Sequence, residues 1–220
     1  MALKTQEKSI KLNLGCGLNT HPDWINIDAS FTARISKISF LYKIVCKLTK
    51  MKPIPWPRNI KIHDVRKGLP FPDNSVDAIF SSHMIEHLHY EEAKFVIQEC
   101  YRCLCRGGII RIIVPDLYQI AKEYVELMKS KPNNIHSHKF LQNLNMIEHS
   151  NKGIKKYNRI FDYSRHLYMY DQYSLKNLLK SVGFCKIKNM NYGQSQIPNI
   201  IQVERKSRYK MSICLEGIKK

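Results

Sequence analysis

The chain has 220 residues, about one and a half times the ~150 of a usual domain, so one elaborated domain, 1–220, is expected rather than two full ones. A composition that is 44% hydrophobic and 25% charged excludes a wholly disordered chain and a disulfide-framed miniature protein. Thirty-six basic residues against eighteen acidic ones leave +18, which favours anionic partners such as nucleic acid, acidic lipid or phosphorylated substrates, unless it only reflects a Lys-, Ile- and Asn-biased composition.

The excess is uneven. Residues 1–63 carry +8, 64–130 carry −2, 131–150 carry +1 and 151–220 carry +11. Between Asp28 and Asp64 stand eight basic residues and no acid. The seven cysteines are an odd number, and the opening Met-Ala-Leu-Lys-Thr-Gln-Glu lacks the apolar core of a signal peptide, so free thiols in a reducing cytoplasm are expected. No stretch approaches the ~18 apolar residues of a membrane span. A soluble protein is expected, or one lying at the inner face of the membrane.

In chain order, Ile10 to Leu14 reads as a buried strand ending in the tight loop Gly15-Cys16-Gly17. Trp24 to Asp28 alternates apolar and polar residues as a second strand, Ile60 to Val65 is a weaker third, and Val76 to Ser81 a fourth. A helix is predicted over Glu91 to Arg106, stopped by Gly107-Gly108. Ile109 to Val114 fits a central parallel strand, and Asp116 to Lys129 a further helix. Residues from about 130 to 165 form a polar, irregular insertion on the acceptor side. Asp171 or Ser174 caps a helix closed by Gly183, and two strand-like segments follow around 184–192 and 209–218. The alternation predicts an α/β fold: a Rossmann-like, mainly parallel seven-stranded sheet with helices on both faces and a C-terminal antiparallel strand pair. Only residues 15–23 separate the first two strands, short of the dozen or so a helical crossover needs, so the first crossover is shortened.

In open parallel sheets a ligand sits beyond the carboxyl ends of the strands. There this sequence places the glycine loop, Asp28, Asp64 and Ser81-Ser82-His83. An acid after the second strand is placed to accept hydrogen bonds from ribose hydroxyls, which points to a nucleoside. The dinucleotide fingerprint needs glycine where Thr20 stands and an acid about 20 residues on, whereas Asp28 comes eleven residues after Gly17. No G-K-[ST] phosphate loop follows either. A nucleoside cofactor without a pyrophosphate is left.

With those residues the sequence resembles the class I S-adenosylmethionine-dependent methyltransferases of type 11. Its L-N-L-G-C-G is similar to their first motif, and V-D-A-I-F-S-S-H-M-I-E-H-L with Q-E-C-Y-R-C-L-C-R-G-G-I-I-R-I-I-V-P-D-L to their fourth strand, helix and fifth strand. The G-C-G to W-I-N-I-D spacing, H-D-V-R-K-G-L-P-F-P-D-N-S-V-D and H-L-Y-M-Y-D-Q-Y-S-L-K-N-L-L-K-S-V-G-F resemble a subgroup of small methyltransferases linked to surface-polysaccharide synthesis. The resemblance implies S-adenosylmethionine as cofactor. Gly15, Cys16 and Gly17 would pass its methionine portion, Asp28 hold the ribose, Asp64 and Val65 meet the adenine, and Ser81, Ser82 and His83 face the sulfonium. Asn13 stands where that family has an acid, weakening one contact to the cationic cofactor.

Three other patterns have plainer readings. His83-Met84-Ile85-Glu86-His87 spells the inverted zinc-peptidase motif, but it directly follows a strand of a sheet that already has a nucleoside site, so no metal is expected. Cys100, Cys103 and Cys105 lack the second pair of a structural zinc site and suit helix packing. Within a basic insertion at 31–59, residues 38–51 place Lys43, Lys47 and Lys50 opposite Ile38, Leu41, Ile44, Val45 and Leu48. That form serves as a sheet-covering helix with a solvated lysine face, or as a contact with acidic membrane.

Methyl transfer from a sulfonium is an in-line displacement governed by alignment, and a sugar hydroxyl gains from a general base. His83 is the first candidate, His166 the second and Asp116 the third. The expected activity is O-methylation of a glycan, nucleotide-sugar or lipid-linked sugar, an acceptor expected to be anionic. RNA methylation would suit the basic flanks, but no Asn-Pro-Pro-Tyr-like motif follows the fourth strand. A non-catalytic basic binding protein on the same scaffold is the alternative from another class.

Overall fold

The computed structural model describes residues 9–49, 52–146 and 165–220. Its strands are β1 (Lys11–Leu14), β2 (Ile25–Asp28), β3 (Ile60–Ile62), β4 (Val76–Ser82), β5 (Leu104–Pro115), β6 (Cys185–Asn189) and β7 (Ser212–Ile218). The helices are α1 (Phe31–Ser36), α2 (Ser39–Thr49), α3 (Tyr90–Cys103), α4 (Leu117–Ser130), α5 (Asn134–Asn143) and α6 (Gln172–Val182). The strands form one seven-stranded sheet in the order β3-β2-β1-β4-β5-β7-β6. β1 to β5 run parallel, and β7 enters antiparallel between β5 and β6. The order reverses between β1 and β4, which opens a crevice at their carboxyl ends. This is the expected mixed sheet with its C-terminal antiparallel pair, and no helix bridges β1 to β2.

On one face Val96, Ile97 and Cys100 of α3 and Leu175, Leu178 and Leu179 of α6 pack on Leu12, Leu14, Ile79, Ile110 and Ile112. The i, i+3, i+4 spacing of those apolar residues turns one stripe of each helix to the sheet. α6 begins with reciprocal bonds: the Asp171 carboxylate accepts from Ser174 N at 2.7 Å, and Ser174 Oγ accepts from Asp171 N at 2.9 Å. The opposite face buries Trp24, Phe80 and Ile113 under Ile197, Ile200 and Val203. Arg111 pins that cover from the middle of β5. Its guanidinium, wholly buried, donates to Glu204 at 2.6 Å, Glu216 at 2.7 Å, Tyr209 and the carbonyls of Asn191 and Gln194.

Three boundaries differ from expectation. The helix predicted to reach Arg106 ends at Cys103, because Leu104 is already extended and pairs with Val76. Pairing then skips from Val76↔Leu104 to Ala78↔Ile109, so Gly107-Gly108 lies in an irregularity within β5 rather than at a helix end. The third strand stops at Ile62, since Asp64 caps a short turn over Val65–Lys67. Within the segment read as irregular, 134–143 is the helix α5, started by the Asn133 side chain and stacked on α4 through Phe140 and Tyr124. Residues 147–164 lie outside the described part. Cys100 and Cys103 are buried in the core, in line with the packing role.

α2 differs most. Tyr42 and Cys46 are its buried residues, packed with Ile35, Val45 and Trp56. Phe40, Leu41, Ile44 and Leu48 are exposed, Phe40 by 77% and Leu48 by 78%. At 100° per residue, these four lie opposite the buried pair, bordered by Lys43 and Lys47. The apolar stripe does not cover the sheet.

Candidate cofactor and acceptor site

The glycine loop leaves β1 with Gly15 at φ +63° and Gly17 at φ +52°, the left-handed region that glycine enters at least cost. Gly15 is also hemmed in: a Cβ there would stand 2.4 Å from Cγ of Met84. Around Gly17 a Cβ would meet nothing within 4 Å. Asp28 locks this loop to its own, accepting from Gly17 N at 2.9 Å and Ser30 N at 2.8 Å. Each carboxylate oxygen keeps a further lone pair.

Gly15, Asp28 and His83 are shared by two adjoining clefts of about 200 and 420 Å³. The smaller also takes in Asp64, Val65, Met84 and His87; the larger takes in Asn13, Cys16, Gly17, Ser82, Arg205 and Arg208. Ser82 Oγ is buried there without a hydrogen-bond partner. A carboxylate with free lone pairs, an orphaned hydroxyl and open space beside Gly17 together fit a ligand bearing hydroxyls and an amino acid end.

Several predicted residues are already engaged. Asn13 Nδ2 donates to Asn19 O and Asn26 Oδ1, so it holds the loop between β1 and β2 in shape. The Asp64 carboxylate receives Arg66 Nε at 2.9 Å and NH2 at 2.8 Å, and those bonds, foremost, hold its pKa below the usual value. Cys16 is a buried thiol whose pKa is pushed up to about 12 by burial and then by Asp28, so it remains protonated. Ser81 is buried and lines none of these clefts. Asp116 caps α4, accepting from Tyr118 N at 3.0 Å, which makes it a fold residue in this geometry.

A third cavity, of about 610 Å³, opens between α4, α5 and the start of β7, lined by His83, His166, Glu123, Lys139, Asn145 and Lys210 among others. His83 thus borders all three spaces. Its φ of +53° is rare for a residue with a side chain and marks a constrained position. Nε2 lies 3.0 Å from Arg208 O, which assigns the proton to Nε2 and leaves Nδ1 with the lone pair, 3.3 Å from Glu86 Oε1. His166 is half-buried; desolvation, ahead of its charged neighbours, lowers its pKa, and its Nδ1 has no partner. Glu86, wholly buried, and His87 stand beside it. Sequence reasoning passed over both, although the H-x-x-E-H string had singled them out.

Residues 12–112 match the family model described as Methyltransferase domain. Among curated proteins, a probable S-adenosylmethionine-dependent methyltransferase of Mycolicibacterium smegmatis is 42% identical over 57 residues, 24% of this chain and 21% of that protein. The chain thus spans about a fifth of that relative's length. Among solved structures, a SAM-dependent methyltransferase from Archaeoglobus fulgidus aligns with a TM-score of 0.50 at 16% identity, over 96% of this chain and 86% of that one. That likeness is one of fold.

Proposed function

We propose that the protein, whose residues 12–112 match the methyltransferase-domain model, binds S-adenosylmethionine and O-methylates a hydroxyl of an anionic glycan, nucleotide-sugar or lipid-linked sugar. In this reading Asp28 holds the ribose hydroxyls, Gly15 and Gly17 let the backbone approach the amino acid end, and Ser82 supplies a hydroxyl to it. Val65 covers the base. When bound, the cofactor would supply an electrophilic methyl group for the acceptor hydroxyl. His83 takes the hydroxyl proton at Nδ1, and the imidazolium so formed faces the Glu86 carboxylate at 3.3 Å.

The observation that carries this reading is the position of His83, shared by the cofactor clefts and the larger cavity. It is there that donor and acceptor would meet. Lys210 lines the larger cavity and favours an acceptor that carries phosphate or carboxylate, whereas Lys139 there is already paired with Glu123 at 3.5 Å. The test is transfer of labelled methyl to phosphate-linked sugars, with RNA as the competing acceptor. His83→Gln should lower turnover by roughly 10²–10⁴, the range for a general base, while S-adenosylhomocysteine binding stays within a factor of a few. Labelling of RNA alone would contradict the assignment.

The exposed apolar side of α2, bordered by Lys43 and Lys47, gives a reason to place the acceptor at an acidic membrane surface. No helix among the described residues is long and apolar enough to cross a bilayer. A shallow contact through Phe40, Ile44 and Leu48 is the form that fits.

A further inference from the structure

We propose that Glu86, His87 and His166 form a binding site for a divalent first-row transition metal, set between the acceptor cavity and the cofactor cleft. One candidate ligand atom from each residue lies within 4.8 Å of the others. Ligand atoms around a cation bound at about 2.0–2.2 Å stand roughly 3–4 Å apart, so modest side-chain rotation closes the set. His166 and His87 border the two spaces, His166 the larger cavity and His87 the cleft that holds Asp28.

Glu86 is 0% exposed, and neither carboxylate oxygen has a hydrogen bond. Burying a carboxylate without a partner costs several kcal/mol, so a cation beside it is the natural complement. His83 Nδ1, 3.3 Å away, presents its lone pair to Glu86 in the tautomer set by Arg208 and pairs with it only when the imidazole is protonated.

His87 Nδ1 lies 2.9 Å from Arg165 O, so the proton sits there and Nε2 is left with its lone pair. Metal-binding histidines are oriented in this way by a carbonyl on the far nitrogen. His166 has its Nδ1 buried and unpartnered, and its ring centroid lies 5.0 Å from that of His87. The backbone N–H groups of Leu167 and Tyr168 both donate to Glu86 O, at 2.8 and 3.2 Å, which fixes the His166 segment against the turn after β4.

The zinc-peptidase form of H-x-x-E-H needs two histidines on one helical face, and no metal was expected of it in this sequence. Here residues 85–87 form a single 3₁₀ turn, and the second imidazole comes from His166 instead of His83. Two imidazoles and one carboxylate suit Zn²⁺, Fe²⁺ or Mn²⁺ better than Mg²⁺ or Ca²⁺, and three protein ligands leave positions open. Resting on the methyltransferase reading, the open positions would take acceptor oxygens, making the hydroxyl more acidic before its proton passes to His83.

The test uses untagged protein, stripped with chelator and titrated with Co²⁺ while visible absorption is recorded, and with Zn²⁺ by calorimetry. One equivalent should bind with micromolar affinity or better. His166→Ala and Glu86→Gln should each weaken binding by more than the roughly 10–100-fold that loss of an outer partner costs. His138→Ala, on α5, should leave it unchanged. Sub-stoichiometric binding, or wild-type affinity in both His166→Ala and Glu86→Gln, would overturn the site. Calorimetry with S-adenosylhomocysteine on the stripped protein runs alongside. Cofactor binding without metal binding contradicts the metal site alone, and metal binding without cofactor binding contradicts the functional reading alone.

Discussion

At Gly15 two constraints coincide, a left-handed backbone and the Met84 side chain 2.4 Å from any added Cβ, while at Gly17 only the first applies. Gly15→Ala should therefore cost roughly 2–4 kcal/mol, backbone strain and overpacking together, and distort the cleft at Met84. Gly17→Ala should cost about 1 kcal/mol. Urea denaturation of both variants measures the difference; equal losses would show that Met84 does not close over the loop. These glycines and Asp28 were legible in the sequence because eleven residues link Gly17 to the acid and a single strand separates them. Asp64 was only half legible. Its place after β3 is as read, but Arg66, two residues on, takes both its oxygens. Glu86 and His166 could not be joined from sequence, since they stand 80 positions apart and only the fold brings them together.

Among the elements, β5 shows how an apolar run can hide a charge. Ile109-Ile110-Arg111-Ile112-Ile113-Val114 reads as a covered strand, and it is one, with the arginine turned into a carboxylate pair that arrives 93 and 105 residues later. Arg111→Met should destabilise the fold by about 3–5 kcal/mol by stranding Glu204 and Glu216. Adding Glu204→Gln and Glu216→Gln should restore much of the loss, which chemical denaturation of the single and triple variants would reveal. A triple variant no more stable than the single one would mean that packing, not charge, anchors residues 191–209. Helices were legible wherever a 3.6-residue stripe met the sheet, as in α3 and α6. The end of α3 was not, because strand pairing with Val76 overrides helix propensity at Leu104. In α2 the period was right and the buried side was wrong: periodicity gives a stripe, but not which neighbour covers it.

For the whole molecule, the +18 charge separates into a near-neutral middle and two basic flanks, and the flanks supply α2, Lys210, Arg205 and Arg208. If α2 rests on acidic lipid, vesicles containing phosphatidylglycerol should bind the protein roughly 30-fold more tightly than neutral ones, at ~1 kcal/mol for each of Lys43 and Lys47. Leu48→Asp should abolish that preference, and raised salt should weaken it. Equal partitioning to both vesicle types would remove the membrane from the account.

The central claim is that the crevice around Gly15, Gly17 and Asp28 takes S-adenosylmethionine. Calorimetry with S-adenosylhomocysteine tests it most directly. One site of micromolar affinity is predicted, weakened about tenfold or more in Asp28→Asn, a loss worth ~1.4 kcal/mol or above, because the amide offers one acceptor oxygen where the carboxylate offers two. No heat at millimolar ligand, or an unchanged affinity in Asp28→Asn, would contradict it.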